Sequence, residues 1–137
     1  MISWTLAFTD RFNYSGFNDI RFPLTLSSAV DKQILIRAQL DTGSTLCVFQ
    51  RAYADLLGLE MEHATKQKIR TATGSFTAYG HEVTIAVGLL EWQAMVYFAT
   101  NEDFDINVVG RQGFLDRLRV GLVDYEQLLY LGAYEET

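Results

Sequence analysis

The chain has 137 residues, of which 49% are hydrophobic and 20% are charged, a composition typical of globular proteins. This length fits one domain with a proper core. The formal net charge is −6 at pH 7 and the 11 basic residues are scattered, which argues against a nucleic-acid partner. Uninterrupted apolar runs are only a few residues long. A membrane-spanning helix needs roughly 20 apolar residues, so the sequence predicts no membrane partner.

The chain contains one cysteine, Cys47, which cannot form a disulfide within the chain. We expect it to be buried as a small apolar side chain, because no histidine or lysine lies near it in the sequence. Residues 1–20 carry charges and contain no long apolar stretch typical of a targeting segment. These features together predict a cytoplasmic protein.

Residues 1–21 form an aromatic-rich N-terminal arm, and residues 22–137 form the domain that follows it. The arm contains the aromatic side chains Trp4, Phe8, Phe12, Tyr14 and Phe17, separated by polar and turn-forming residues. Aromatic side chains gain much free energy on burial. We therefore expect the arm to add a strand or to pack its rings onto the domain.

The ranges 22–26 and 33–40 alternate apolar and polar residues and predict two β-strands. The second strand delivers the sequence Asp41-Thr42-Gly43-Ser44. Gly43 permits a positive φ or a close approach of another segment, and the two neighbouring hydroxyl groups can hydrogen-bond a carboxylate or an amide. The strand end therefore carries a candidate chemical site.

Helical spacing over residues 49–57, followed by Gly58, predicts a helix that ends at a C′ glycine. The ranges 66–71 and 78–87 then predict the two arms of a β-hairpin, and its tip consists of the small residues Thr73-Gly74-Ser75. Another strand is expected over residues 91–99.

The mainly apolar run Ile106-Asn107-Val108-Val109-Gly110 comes next, and a second short helix is expected over residues 113–118. A final hairpin is predicted from residues 119–124 and 127–132. Many short strands with one or two short helices indicate a small, closed all-β fold.

The sequence predicts no metal site. The acidic residues between positions 101 and 105 do not follow the spacing of a calcium-binding loop. His63 and His81 likewise have no metal-ligand pattern around them.

Asp41-Thr42-Gly43-Ser44 after an apolar strand resembles the catalytic loop of retropepsin-like aspartic proteases. The helix, the glycine-marked hairpin and the run that ends in Gly110 follow in the order that this family uses, so the resemblance covers roughly residues 22–132. It implies an aspartic endopeptidase with an all-β barrel, no cofactor and a polypeptide substrate.

The resemblance implies that Asp41 is the catalytic residue, supported by Thr42, Gly43 and Ser44. Peptide hydrolysis by carboxylates needs a pair that shares one proton, and the chain supplies one such loop. The second Asp41 must come from a homodimer partner, with Thr42 bonding across to the opposite loop. Ser44 stands where a hydroxyl would hydrogen-bond the carboxylate, which favours an acidic pH optimum.

The hairpin is similar to the flap that closes over a bound peptide in this family. Its candidate substrate-binding residues are Thr73, Gly74, Ser75 and Phe76, and either Phe76 or Tyr79 provides the flap aromatic ring.

The residues Val109, Gly110 and Arg111 are expected to support the site. In retroviral proteases the corresponding arginine pairs with an acid shortly after the catalytic loop, but Thr45 and Leu46 occupy that place here. We therefore expect Arg111 to have a different partner and the C-terminal hairpin to contribute to the dimer.

Two alternatives remain open on the sequence alone. The N-terminal arm packs onto the barrel or covers the substrate groove or the partner subunit. The chain is an enzyme or a non-catalytic or weakly active peptide-binding and assembly module, whose exposed edge strands would take up peptides by strand addition.

Overall fold

A computed structural model describes residues 1–61 and 64–135, which contain ten β-strands and one α-helix. Within these ranges no helix is long and apolar enough to span a membrane. The elements in chain order are β1 (Asp10–Asn13), β2 (Arg21–Ser27), β3 (Gln33–Leu40), β4 (Val48–Phe49), α1 (Arg51–Leu56), β5 (Thr65–Thr71), β6 (Gly74–Val87), β7 (Leu90–Ala99), β8 (Val108–Val109), β9 (Leu118–Val123) and β10 (Leu128–Ala133).

Six of the described strands form a closed circuit in the order β2, β3, β8, β4, β7 and β6. The circuit closes because β2 pairs with β3 on one side and with β6 on the other. Most neighbours are antiparallel, but β3 pairs with β8, and β4 with β7, in parallel. The predicted all-β fold and closed barrel are therefore confirmed.

Strand β3 has the predicted limits and the predicted alternation. Ile36, Ala38 and Leu40 are buried against the core, whereas Leu35 is 71% exposed on the opposite face. Strand β2 alternates in the same way, with Phe22 buried on its inner face. Two strands with one apolar face each thus close one wall of the barrel.

The predicted helix is confirmed as α1, and Gly58 follows it with φ +71°. The Gly58 N–H donates a hydrogen bond to the Asp55 carbonyl at 3.1 Å, which satisfies a helix-end acceptor. The second predicted helix is a single 3-10 turn over Leu115–Arg117.

The predicted hairpin is confirmed as β5 and β6, but its second arm is longer than expected. Pairing continues as far as Thr71 opposite Gly74, so that Ala72 and Thr73 alone form the turn. The sequence analysis placed Gly74 and Ser75 in the tip because they are small. Small side chains also fit an exposed strand, and Gly74 adopts φ +145° at its start.

The N-terminal arm contributes to a second sheet, in which β1 pairs with β10 and β10 with β9. Tyr14 at the end of β1 is 3% exposed, and its hydroxyl donates a hydrogen bond to the Asp124 carboxylate. Phe12 and Phe17 pack against the core. Residues 10–17 are thus an integral part of the fold, while Trp4 is 91% exposed.

Burial, and then the Asp124 carboxylate, raise the pKa of Tyr14 from 10.0 to about 12. The fold therefore favours the protonated phenol, so its contribution to stability is full below pH 10 and is lost between about pH 10 and 12. Denaturant titrations should show a steeper loss of stability above pH 10 for wild type than for Tyr14→Phe. Tyr125→Phe, which alters a side chain that is 99% exposed, is the control. Parallel losses in wild type and Tyr14→Phe would contradict this account.

Candidate active site

Asp41 is held at the point where two neighbouring parallel strands end. It follows β3 directly, and its backbone N–H donates a hydrogen bond of 3.0 Å to the Val109 carbonyl in β8. The preceding residue, Leu40, pairs with Val109 in the sheet. Rigid barrel strands therefore set the position of an exposed carboxylate.

The backbone of the turn organises the Asp41 carboxylate. The Gly43 N–H donates to Asp41 Oδ1 at 2.9 Å, and the Ser44 N–H donates to the Asp41 carbonyl at 3.1 Å. Within the described residues, Oδ2 accepts no hydrogen bond. One carboxylate oxygen is thus oriented and the other is free for a further group.

The Ser44 hydroxyl does not make the contact that the sequence analysis assigned to it. Ser44 Oγ donates to the Leu46 carbonyl at 2.8 Å, and the Gly43 amide bonds the carboxylate instead. The tight turn directs the hydroxyl towards a nearby backbone acceptor, a competition that is common for serine. Ser44 therefore stabilises the loop, and in this protomer it gives no reason for an acidic optimum.

Gly110 packs directly against this loop. A Cβ atom there would lie 2.6 Å from the Leu46 carbonyl oxygen and closer still to that of Ser44. The next two residues continue the contact, because the Arg111 N–H donates to Ser44 O at 2.9 Å and the Gln112 N–H to Thr45 O at 2.8 Å. The segment after β8 thus clamps the loop through backbone groups.

Cys47 lies beneath the same loop and is fully buried, as predicted. Its Sγ is 3.4 Å from both the Gln112 carbonyl and the Gly110 amide. Burial raises the pKa of the Cys47 thiol to about 11. The thiol is therefore neutral near pH 7 and serves as packing.

A cavity of about 440 Å³ separates the Asp41 loop from the β5–β6 hairpin. We call it the cleft. Its lining combines the carboxylate with mainly apolar and small side chains: Asp41, Gly43, Ser44, Val48, Ile69, Arg70, Thr71, Ala72, Phe76, Phe104, Ile106 and Val108. The cleft therefore combines apolar side chains with one carboxylate, Asp41, and one cation, Arg70.

Of the two candidate flap rings, Phe76 and Tyr79, only Phe76 lines the cleft in the described protomer. It packs against Phe104 with ring centroids 5.2 Å apart. Tyr79, the other aromatic residue considered, is not among the lining residues. The pairing register explains the difference, because residues 76 and 79 of one strand point to opposite faces.

The other predicted site residues lie around the cleft. Val109 is buried behind the Asp41 loop, and Thr42 and Arg111 line a separate cavity beside it. Thr73 lies in the hairpin turn, and Gly74 and Ser75 begin β6. None of these three hairpin residues lines the cleft in the described protomer.

Several cleft residues were not predicted from the sequence. Ile69 and Ile106 had a usable signal, since each is a large apolar residue in or beside a predicted strand near the site. Phe104 and Arg70 had none, because Phe104 lies in an acidic loop and Arg70 in a polar strand. Tertiary folding alone brings the last two to the cleft.

No residue of 1–21 lines the cleft, so the arm does not cover the groove of its own protomer. Among the described residues no three His, Cys, Asp or Glu side chains are placed to hold a metal ion. His63 lies outside the described residues.

We expect Gly110→Ala to destabilise the protein by about 3 kcal/mol, because the methyl group overlaps backbone carbonyl oxygens that cannot rotate away. Chemical denaturation measures the change. The matched control is Ala38→Gly in β3, which removes a buried methyl group without overlap and should cost about 1 kcal/mol. Equal losses in the free energy of unfolding for the two variants would show that Gly110 does not pack tightly against the loop carbonyl groups.

Comparison with known proteins agrees with this geometry. A family model described as aspartyl protease matches residues 28–113, more than half of the chain. No curated protein sequence matches. A retropepsin-like aspartic protease from Rickettsia conorii superposes with a TM-score of 0.64 at 19% identity, over 90% of this chain and 99% of that one. The EIAV protease complexed with the inhibitor HBY-793 gives a TM-score of 0.55 at 17% identity, over 73% of this chain and 88% of that one. This chain therefore belongs to the aspartyl protease family and has a retropepsin-like fold.

Proposed function

We propose that the protein is an aspartic endopeptidase that is active as a homodimer and cleaves extended polypeptide segments. Its family and its fold support protease activity in general. The dimer is proposed because the reaction needs two carboxylates and the cleft of one protomer, as far as the structure describes it, supplies only one. Among the described residues that line the cleft, Asp41 is the single acid.

Two carboxylates are needed because the reaction moves a proton in each direction. The ionised Asp41 takes a proton from water, whose oxygen then attacks the carbonyl carbon of the scissile bond. The protonated Asp41 of the other protomer gives its proton to the carbonyl oxygen. The first Asp41 then gives the proton that it took from water to the leaving nitrogen, the C–N bond breaks, and the second Asp41 recovers a proton from the hydroxyl group as the product acid forms.

A two-fold axis beside Asp41 would bring two carboxylates together from two copies of the same chain. In an isologous dimer each loop meets its own copy, so that both carboxylates share one site. Each Asp41 carboxylate is exposed and has one free oxygen, which supports such an approach. We assign the Thr42 hydroxyl, which makes no hydrogen bond to another described residue, to the opposite loop.

The β5–β6 hairpin is the proposed flap. Its strand β5 is an edge strand, and Ile69 and Phe76 line the cleft from the hairpin side. A peptide that lies between the flap and Asp41 can pair with backbone groups and place alternate side chains in apolar surroundings. The preferred substrate therefore has large apolar side chains around the scissile bond.

The shared proton sets the expected pH dependence. A close pair of carboxylates loses its protons in two separate steps, because the charge left by the first step disfavours the second. Above the upper step both carboxylates are ionised and no proton is available for the carbonyl oxygen. We therefore propose an acidic optimum. A reducing compartment such as the cytoplasm suits a chain with a single, buried cysteine.

One observation favours a second candidate, a monomeric peptide-binding module. The Arg111 guanidinium makes no ion pair or hydrogen bond within the described residues, so its own protomer does not supply the different partner that was expected for it. Such a module would keep the apolar cleft and bind peptides without cleaving them.

Wild type should cleave an unfolded protein substrate between pH 3 and 6, and Asp41→Asn should lower the rate by at least about 10³-fold. Specific activity should also fall on dilution below the dimer dissociation constant, because the protomer has half of the pair. Digestion assays combined with sedimentation at matched concentrations test both expectations. Asp55→Asn in α1, which alters an exposed acid that lines neither the cleft nor the cavity beside Thr42 and Arg111, is the control for the loss of a charge.

Cleavage by folded Asp41→Asn at the wild-type rate would exclude the proposed chemistry. Activity strictly proportional to the concentration of a monomer would exclude the dimer. Peptide binding by a monomer without any cleavage would establish the second candidate.

We expect Phe76→Ala to lower kcat/KM about 10-fold for peptides with large apolar residues, because the ring packs against Phe104 in the cleft wall. Tyr79→Ala in the same strand is the matched control, since Tyr79 is not a lining residue. Steady-state kinetics with one apolar and one small-residue peptide measure the effect. A larger loss for Tyr79→Ala would show that the other face of the hairpin meets the substrate.

A further inference from the structure

A second cavity, of about 460 Å³, lies on the other side of the Asp41 loop. We call it the side cavity. Its lining residues are Thr42, Thr45, Arg111, Gln112, Leu115 and Asp116, none of which lines the cleft. The side cavity thus begins one residue away from Asp41 and is separate from the proposed substrate path.

The side cavity contains one basic and one acidic side chain, Arg111 and Asp116. The backbone fixes both residues, because the Arg111 N–H bonds Ser44 O at 2.9 Å and its carbonyl accepts the Asp116 N–H at 2.9 Å. The Arg111 guanidinium nevertheless makes no ion pair or hydrogen bond within the described residues. A cation is thus held beside the site without a partner from its own protomer.

The Asp116 carboxylate can still accept an ion pair from another cation. Its Oδ1 accepts the Gly113 N–H at 2.9 Å and lies 3.7 Å from Arg117 Nε. The Arg117 and Asp116 side chains are 44% and 54% exposed, so this contact is weak and solvated. Asp116 Oδ2 accepts no hydrogen bond from the described residues.

We propose that Arg111 of one protomer pairs with Asp116 of a second copy of this chain, and that two-fold symmetry repeats the pair. This inference rests on the proposed dimer. For the Asp41 carboxylates to share a proton, the Thr42 segments must meet at the axis, so the side cavity beside Thr42 faces the partner. In an isologous interface, a contact from Arg111 to Asp116 implies the same contact in reverse.

The two ion pairs act on the orientation of the dimer. A single exposed ion pair contributes little affinity. An orientation of the two protomers that places like charges opposite each other is nevertheless disfavoured, so the ion pairs select one orientation. Because Arg111 is bonded through its backbone to the Ser44 carbonyl, a pair at this position also holds the Asp41 loop. Arg111 and Asp116 are therefore positioning residues.

Charge reversal gives a sharp test. In homodimers of Arg111→Asp, both contacts would place two acids together, and in homodimers of Asp116→Arg two bases. We expect each variant alone to raise the dimer dissociation constant at least about tenfold by sedimentation. In an equimolar mixture the heterodimer joins opposite charges at both contacts. It should recover a dissociation constant within about threefold of wild type, together with cleavage.

Two further variants distinguish the loss of the ion pair from a general effect on folding or net charge. Asp116→Asn retains an acceptor oxygen for the Gly113 N–H and should weaken the dimer about threefold. Arg37→Asp changes the net charge as Arg111→Asp does, but it lies on the outer face of β3, with its guanidinium 5.2 Å from the Phe17 ring centroid. It should leave the dimer unchanged.

The outcomes separate this inference from the proposed function. Wild-type dimerisation and cleavage in both reversed variants would overturn the ion pair and leave the dimeric protease intact. Weakened single variants that the mixture does not rescue would also overturn it, since a structural defect would then explain the loss. A wild-type chain that stays monomeric and inactive would overturn the proposed function itself.

Discussion

The hydrogen bond from the Asp41 amide to the Val109 carbonyl joins two parallel strand ends, and the site depends on this junction. Gly110 follows at once and leaves room for the loop carbonyls only because it has no side chain. The Arg111 amide then bonds Ser44 O from the same side. Three successive residues thus fix the loop through backbone groups, so the carboxylate keeps its position while its side chain stays exposed to a substrate and a partner.

The same junction separates two surfaces with different properties. The cleft on one side is lined mostly by apolar and small side chains and is bounded by the β5–β6 hairpin, where Phe76 packs against Phe104. The side cavity holds one cation and one anion, Arg111 and Asp116. In the proposed dimer, the cleft takes the peptide and the side cavity meets the second copy. One short loop therefore links substrate binding to association.

Much of this arrangement follows from local sequence patterns. Alternation over residues 33–40 placed β3 correctly, and the glycine after α1 marked the helix end, because burial and backbone conformation act locally at both places. The many short strands indicated a closed all-β fold, but no local pattern encodes the pairing of β2 with β6 that closes the barrel. The predicted contact of the Ser44 hydroxyl with the carboxylate was wrong, because the hydroxyl donates to the Leu46 backbone carbonyl two residues further on. Phe104 was not predicted as a cleft residue, because tertiary contacts and not the local sequence bring it to the cleft.

Mixing wild type with inactive Asp41→Asn tests the central claim, that two copies of Asp41 form one catalytic pair. The wild-type concentration is held constant above the dissociation constant of its dimer while the variant is added. If protomers exchange freely, an equal amount of variant should lower cleavage to about half, and a ninefold excess to about a tenth, because heterodimers contain one aspartate. Cleavage that stays constant while sedimentation shows mixed dimers would contradict the account, since one Asp41 would then be sufficient.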